Sequence, residues 1–325
     1  MNLLEVKNIC KTYGSGETAV KALKDVSFSV PKGEYVAVVG ESGSGKSVTG
    51  FSVLRLVDAP GRIVKGRINF LGQDMARLSE EEMRALRGSR IAMIFQDPMM
   101  TLNPVLRIDT QMIDAVMAHE SVSRSEARVR ARDALGKVGI PSPDERLKAY
   151  PHQFSGGMKQ RVVIAIALAC SPELLIADEP TTALDVTIQA QVLDMMNELK
   201  ARLGTSVILI SHDLGVVAEM CDEVAVIYAG EIVEIGTARD VFKHMSHPYT
   251  IGMFDSLPDL NSSSKRLKLI PGLMPDPTDL PKGCKFAPRC AHCTQACMEA
   301  PVPLKELEPG HYCRCLYPQH KEERV

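Results

Sequence analysis

The segment GESGSGKS, residues 40–47, sets three glycines, three serines and a lysine between an apolar run and a helix-like stretch. It fits G-x-x-x-x-G-K-[ST] in the strand–loop–helix context that this pattern needs. Gly40, Gly43 and Gly45, with Ser42 inside the turn, leave backbone N–H groups to close around phosphate oxygens, and a helix start adds its positive dipole end. Lys46 then reaches the β- and γ-phosphates and Ser47 holds Mg²⁺. A plain Gly/Ser turn is the alternative, and the flanking elements weigh against it. ELLIADEP, residues 173–180, is a second chemical group: an apolar strand that ends in two carboxylates. The carboxyl edge of a parallel sheet is where α/β proteins bind ligands. There Asp178 binds Mg²⁺, directly or through water, and Glu179 acts as general base on the attacking water. Taken alone, Asp-Glu-Pro would be an ordinary turn.

A third group is made of thiols. Six of the nine cysteines fall between Cys284 and Cys315, while Cys10, Cys170 and Cys221 are scattered. The start, MNLLEVKNICKTYG, lacks the charged-then-apolar pattern of a secretory signal, and in a reducing compartment clustered cysteines are more often metal ligands than disulfides. Four thiolates on short irregular loops suit a cubane iron–sulfur cluster or a tetrahedral Zn²⁺. Unligated thiols are a third reading. Cys290-x₂-Cys293 offers a zinc-type knuckle, and Cys313-x-Cys315 leaves the choice of ligand open. Pro281, Pro288 and Pro301 stiffen loops with little core of their own, so a cross-linking centre would supply what apolar burial cannot.

These groups need elements to position them. LLEVKNICKTY and ALKDVSFSV alternate as half-buried antiparallel strands do. YVAVVG (35–40), RIAMIF (90–95), LLIAD (174–178), SVILIS (206–211) and EVAVIYAG (223–230) are continuous apolar runs, as in strands buried on both faces. Helical patterns lie between them over 46–57, 156–169 and 188–203. The alternation predicts an α/β fold with a mixed, mainly parallel sheet and an antiparallel N-terminal subdomain. Residues 97–165 read as an inserted helical subdomain, with Ala127, Ala131, Ala134, Leu135 and Val138 on one helix face. Eleven of the twenty prolines follow residue 240, which predicts a loop-rich C-terminal region over 241–325 after a domain over 1–240.

Composition excludes other classes. The chain has 325 residues, 45% apolar and 24% charged, with net charge −2. That is an ordinary globular balance with no pull toward nucleic acid. The longest apolar run, VVIAIALAC (162–170), is about half of what a bilayer requires.

FSGGMKQRV, residues 154–162, completes a set that resembles the nucleotide-binding subunits of ABC transporters, whose signature is usually written LSGGQ. Phe154 replaces Leu and Met158 replaces Gln, while Ser155, Gly156 and Gly157 are kept. Ser155 is placed to cap the helix that follows, giving a second anion-binding helix start. The resemblance implies that this helix contacts the γ-phosphate bound by a facing subunit. It also implies that Gln96 senses Mg²⁺ and the attacking water, that Asp185 in TALD sits at the subunit interface, that His212 touches the γ-phosphate, and that Tyr13 stacks on adenine. Each match is weak alone; their order along residues 3–240 is what carries the resemblance.

HPYT (247–250) and LIPGLMPDPTDLPKGCKFAPRC (269–290) resemble the oligopeptide, dipeptide and nickel import branch. In that branch Cys284, Cys290, Cys297 and Cys315 match cysteines that in some members hold a [4Fe–4S] cluster. Nothing in the sequence places this centre near the nucleotide, so it reads as structural. The resemblance implies an ATPase that energises import of peptides or nickel at the cytoplasmic face of the membrane. It further implies two separate permease subunits, a solute-binding protein, and a second ATPase chain, in a heterodimer as the branch usually has or in a homodimer. Two other readings are a soluble ABC ATPase of DNA repair or translation, which would usually carry tandem cassettes or long coiled coils, and a non-hydrolysing regulatory cassette, which the intact Glu179 and His212 oppose.

Overall fold

A computed structural model of the chain describes residues 1–16, 19–182, 186–257, 269–319 and 321–322. The chain forms two compact units. One comprises residues 30–34 and 77–209; the other comprises 2–29, 35–76 and 210–325.

The second unit holds a run of strands in the order Lys305–Glu308, His311–Cys313, Glu231–Thr237, Glu223–Tyr228 and Tyr35–Val39. Tyr35–Val39 is buried at every position, as a run without polar alternation demands, and pairs in parallel with Glu223–Tyr228. Glu231–Thr237 runs antiparallel to Glu223–Tyr228 on one side and to His311–Cys313 on the other. The N-terminal half-buried strands form a separate sheet in the order Val20–Pro31, Asn2–Tyr13, Gly61–Phe70 and Gln73–Asp74. Asn2–Tyr13 and Gly61–Phe70 pair antiparallel, with a register break beside Asn8, whose φ is +52°. The helix Lys46–Val53 is shorter than the pattern over 46–57 predicts. Leu54 caps it and Arg55 turns the chain at φ +51°, a reversal that apolar periodicity does not encode.

The first unit contains Ser206–Ser211 (through Leu209), Leu174–Asp178 and Ile91–Ile94 in that order, the last two in parallel. The helices Pro98–Thr101, Ile108–Met117, Arg124–Lys137, Pro143–Arg146 and Gly156–Leu168 fill the stretch read as a helical insert. Arg124–Lys137 starts in a capping box, Ser123 with Glu126. Its small face is buried as the spacing predicts: Ala127, Ala131 and Leu135 are fully covered, and Ala127 packs with Ile113 and Val116. Val186–Leu203 follows.

The C-terminal region has more regular structure than its proline content predicts, with helices Pro248–Asp255 and Ala296–Glu299 besides the two strands named above. Its strands have two to four residues, too short to show a period of two. Among the described residues no helix is long and apolar enough to cross a membrane.

Candidate active site

In the second unit the 40–47 loop has the shape its glycines permit. Gly40, Gly43 and Gly45 all have positive φ, at 154°, 79° and 108°. At Gly40 even a methyl group would stand 2.2 Å from the Ile227 carbonyl oxygen. Lys46 is 6% exposed, and its Nζ donates to the carbonyls of Gly40, at 2.8 Å, and Glu41, at 3.0 Å. The ammonium therefore lies folded along the loop it is expected to serve. Ser47 stands in the first turn of the helix that begins at Lys46. In the same unit Tyr13 rests its ring against Gly61, where a Cβ would come within 2.6 Å. His212 is exposed between the strand end Ser211 and Asp213, which caps the helix Leu214–Met220.

In the first unit, Asp178 ends its strand 3% exposed. Glu179 turns out of the strand at φ +47°, a region that non-glycine residues seldom occupy and that recurs at functional sites. Its Oε2 accepts from the Gln96 amide at 3.0 Å and from the Thr182 hydroxyl at 2.9 Å. Gln96 and Glu179 are 83 residues apart, and the parallel pairing of Ile91–Ile94 with Leu174–Asp178 brings their ends together. Ser155 caps Gly156–Leu168 by accepting from the Met158 N–H at 3.3 Å. A Cβ on Gly156 would meet open space, while one on Gly157 would meet Ile188 at 2.5 Å. Asp185 lies outside the described residues.

Three residues outside the nucleotide-binding motifs contact Tyr13 or the loop. Lys11 lies two residues before Tyr13 on one strand, so both face the same way. It is fully buried, its Nζ has no hydrogen-bond partner, and it stands 4.7 Å from the Tyr13 ring centroid. Tyr249 and Arg289, from the C-terminal region, both bond to Glu41. This departs from the expectation that nothing ties the thiol-bearing loops to the nucleotide loop: Arg289 immediately precedes Cys290.

Cys284, Cys290, Cys293, Cys297 and Cys315 line one small cavity of about 20 Å³. Gly283 lets two of its walls meet, because a Cβ there would stand 2.1 Å from the Cys297 carbonyl oxygen. None of the nine cysteines is in a disulfide. Burial pushes the Cys284 thiol up to about 11, and the neighbouring Cys315 and Cys290 push the same way. Burial likewise raises Cys290, Cys293 and Cys315. A cationic centre is what makes such thiols give up their protons. Cys313 stands apart, fully buried in the strand paired with Glu231–Thr237. Among the described residues no three His, Cys, Asp or Glu side chains close on a point that would hold a metal ion.

Comparison with known proteins places the chain in a family. The sequence profile of the ABC transporter family matches residues 23–182. That of the oligopeptide/dipeptide transporter C-terminal region matches residues 233–297. The chain is 48% identical to the oligopeptide transport ATP-binding protein OppD of Escherichia coli (strain K12), over 97% of this chain and 93% of that protein. It is 50% identical to OppD of Bacillus subtilis (strain 168), over 96% and 88%. It is 46% identical to the dipeptide transport ATP-binding protein DppD of Escherichia coli (strain K12), over 98% and 97%. Among solved structures, the ATP-binding cassette MJ0796, dimeric and bound to ADP and Pi in a post-hydrolysis state, is similar with a TM-score of 0.65. The two are 29% identical, covering 73% of this chain and 99% of that one.

Proposed function

Because this chain belongs to the ATP-binding subunits of oligopeptide and dipeptide ABC transporters, we propose that it hydrolyses ATP to drive peptides through separate permease subunits. The observation that carries the reading is Glu179, a carboxylate at the end of a buried strand held by Gln96 and Thr182. The relatives above transport peptides, which favours peptides over nickel. We take residues 1–240 as the ATPase domain, with its helical subdomain over 97–165, and 241–325 as the C-terminal region.

The residue roles follow. Tyr13 stacks on the adenine. The N–H groups of the loop from Gly40 through Ser42, Gly43 and Gly45 cradle the phosphates, and Lys46 leaves the two carbonyls it now holds to meet them. Glu179 takes the proton of the attacking water, with Gln96 fixing the carboxylate and His212 contacting the γ-phosphate. Ser47, Gln96 and Asp178 are hard-oxygen donors suited to Mg²⁺, which when bound neutralises charge developing on the phosphates. Ser155, Gly156, Gly157 and Asp185 face the nucleotide of a second ATPase chain, so two chains close around two nucleotides and separate after hydrolysis.

Cys284, Cys290, Cys297 and Cys315 are soft donors that would hold a [4Fe–4S] cluster, with Zn²⁺ as the alternative, and either centre would cross-link the C-terminal loops; Cys293 lines the same cavity. The chain works at the cytoplasmic face of the membrane with two permeases, a solute-binding protein and a second, homologous ATPase. The test is reconstitution of the co-purified complex in vesicles, with labelled dipeptides, longer peptides and Ni²⁺ offered separately. ATP-dependent accumulation of a peptide is expected. Accumulation of Ni²⁺ alone, or hydrolysis coupled to no transport, defeats the proposal.

A further inference from the structure

Glu41, the second residue of the phosphate loop, is gripped from the far end of the chain. Its N–H donates to the Tyr249 hydroxyl at 2.8 Å. Its carboxylate meets the Arg289 guanidinium fork to fork: Nη1 to Oε2 at 2.8 Å and Nη2 to Oε1 at 3.1 Å. Such paired bonds fix direction as well as distance. The Arg289 side chain is 6% exposed. Its Nε donates to the Pro271 carbonyl at 2.9 Å, and Nη1 also donates to the Tyr228 hydroxyl at 3.3 Å. With these partners the guanidinium has little freedom to wander.

Glu41 is also a hub within the loop. Its carbonyl accepts from the Ser44 N–H at 3.2 Å and from Lys46 Nζ at 3.0 Å. Three positive-φ glycines give this loop many unfolded and misfolded alternatives, and glycine cannot be gripped through a side chain. Glu41 can. Movement of its carboxylate would shift the carbonyl on which Ser44 and Lys46 both depend. Arg289 closes the single turn Ala287–Arg289, and the Cys290 N–H donates to the Ala287 carbonyl at 3.2 Å. The clamp is thus built into the same short segment that carries two of the cavity thiols.

We propose that Arg289 is a positioning residue for ATP: by clamping Glu41 it holds the 40–47 loop in its phosphate-binding shape, making the C-terminal region part of the nucleotide site. This rests on reading that loop as the ATP site.

The test uses the full chain, with equilibrium binding of a fluorescent ATP analogue plus Mg²⁺, and steady-state hydrolysis in the assembled complex. Arg289→Ala and Glu41→Gln should each weaken binding and raise KM about tenfold, the scale of a lost charged hydrogen-bond pair. Their kcat should stay within about twofold, because the clamp acts on binding rather than on the bond-breaking step. Arg289→Lys, which keeps the charge but not the fork, should fall between. Glu41→Gln leaves the C-terminal region's own residues untouched. If it binds normally while Arg289→Ala does not, the loss is general damage to that region and the clamp is overturned. If both bind as the parent does while Lys46→Ala loses binding, the role of Arg289 fails and the ATP site stands. If Lys46→Ala binds as the parent does, both readings fail.

Discussion

The Gln96 amide and the Thr182 hydroxyl donate to the same Glu179 oxygen, Oε2, at 3.0 and 2.9 Å, so the carboxylate is oriented by one group 83 residues away in sequence and one three residues on. An oriented general base contributes about 10²–10⁴-fold to a hydrolysis. Glu179→Gln should therefore lower phosphate release by at least about 100-fold and leave ATP binding within a few-fold of the parent. A turnover close to the parent's would remove Glu179 from the mechanism.

Gly40 should tolerate no side chain. Its φ of +154° and a virtual Cβ 2.2 Å from the Ile227 carbonyl oxygen oppose any substitution. Gly40→Ala should cost on the order of 2–3 kcal/mol, or prevent folding, and abolish ATP binding. Gly72, at φ +81° with nothing within 4 Å of its virtual Cβ, is the control. Gly72→Ala should cost about 1 kcal/mol and leave binding intact. Urea midpoints of equal size for the two variants would contradict this account.

The buried pair His311–Glu234, at 2.9 Å, gives the C-terminal region a pH dependence. The bond to Glu234 raises the His311 pKa against the opposing pull of burial, and Asp240 and Glu308 push it the same way as Glu234. The folded chain thus binds this proton more tightly than the unfolded chain does. The stabilisation is complete below about pH 6.5 and is lost as pH rises through the higher folded value. His311→Gln should lower the unfolding midpoint more at about pH 6 than at about pH 9. A difference that grows toward alkaline pH would reverse the assignment.

The sequence made the chemistry more legible than its support. Every strand carrying a proposed catalytic group was a continuous apolar run, and Gly-x-x-x-x-Gly-Lys-Ser needs little context to be read. The strained φ of Glu179 and the Gln96 contact could not be read, since both depend on which strands lie side by side. Nor could Arg289. An Ala-Pro-Arg-Cys stretch 248 residues from Glu41 has no local signature of its partner. Lys11 had only its spacing of two from Tyr13, which many strand lysines share.

The thiols separate into two kinds. Replacing Cys284, Cys290, Cys297 or Cys315 by serine should reduce the iron content of anaerobically purified protein. Cys313→Ser should leave iron unchanged and instead lower stability by about 1–2 kcal/mol, because it puts a hydroxyl into a fully buried strand. Elemental analysis with visible absorbance decides both. Parent protein without iron would remove the cluster from the proposal.

Glu231–Thr237 is flanked by His311–Cys313, and that strand by Lys305–Glu308, which reads Lys-Glu-Leu-Glu. Charged side chains on an outermost strand discourage pairing with foreign chains. A chain cut after residue 240 would bare the unsatisfied backbone of EIVEIGT, whose first four residues are buried in the full chain. That truncated protein is expected to self-associate, so the last eighty-odd residues act as a built-in guard against sticking.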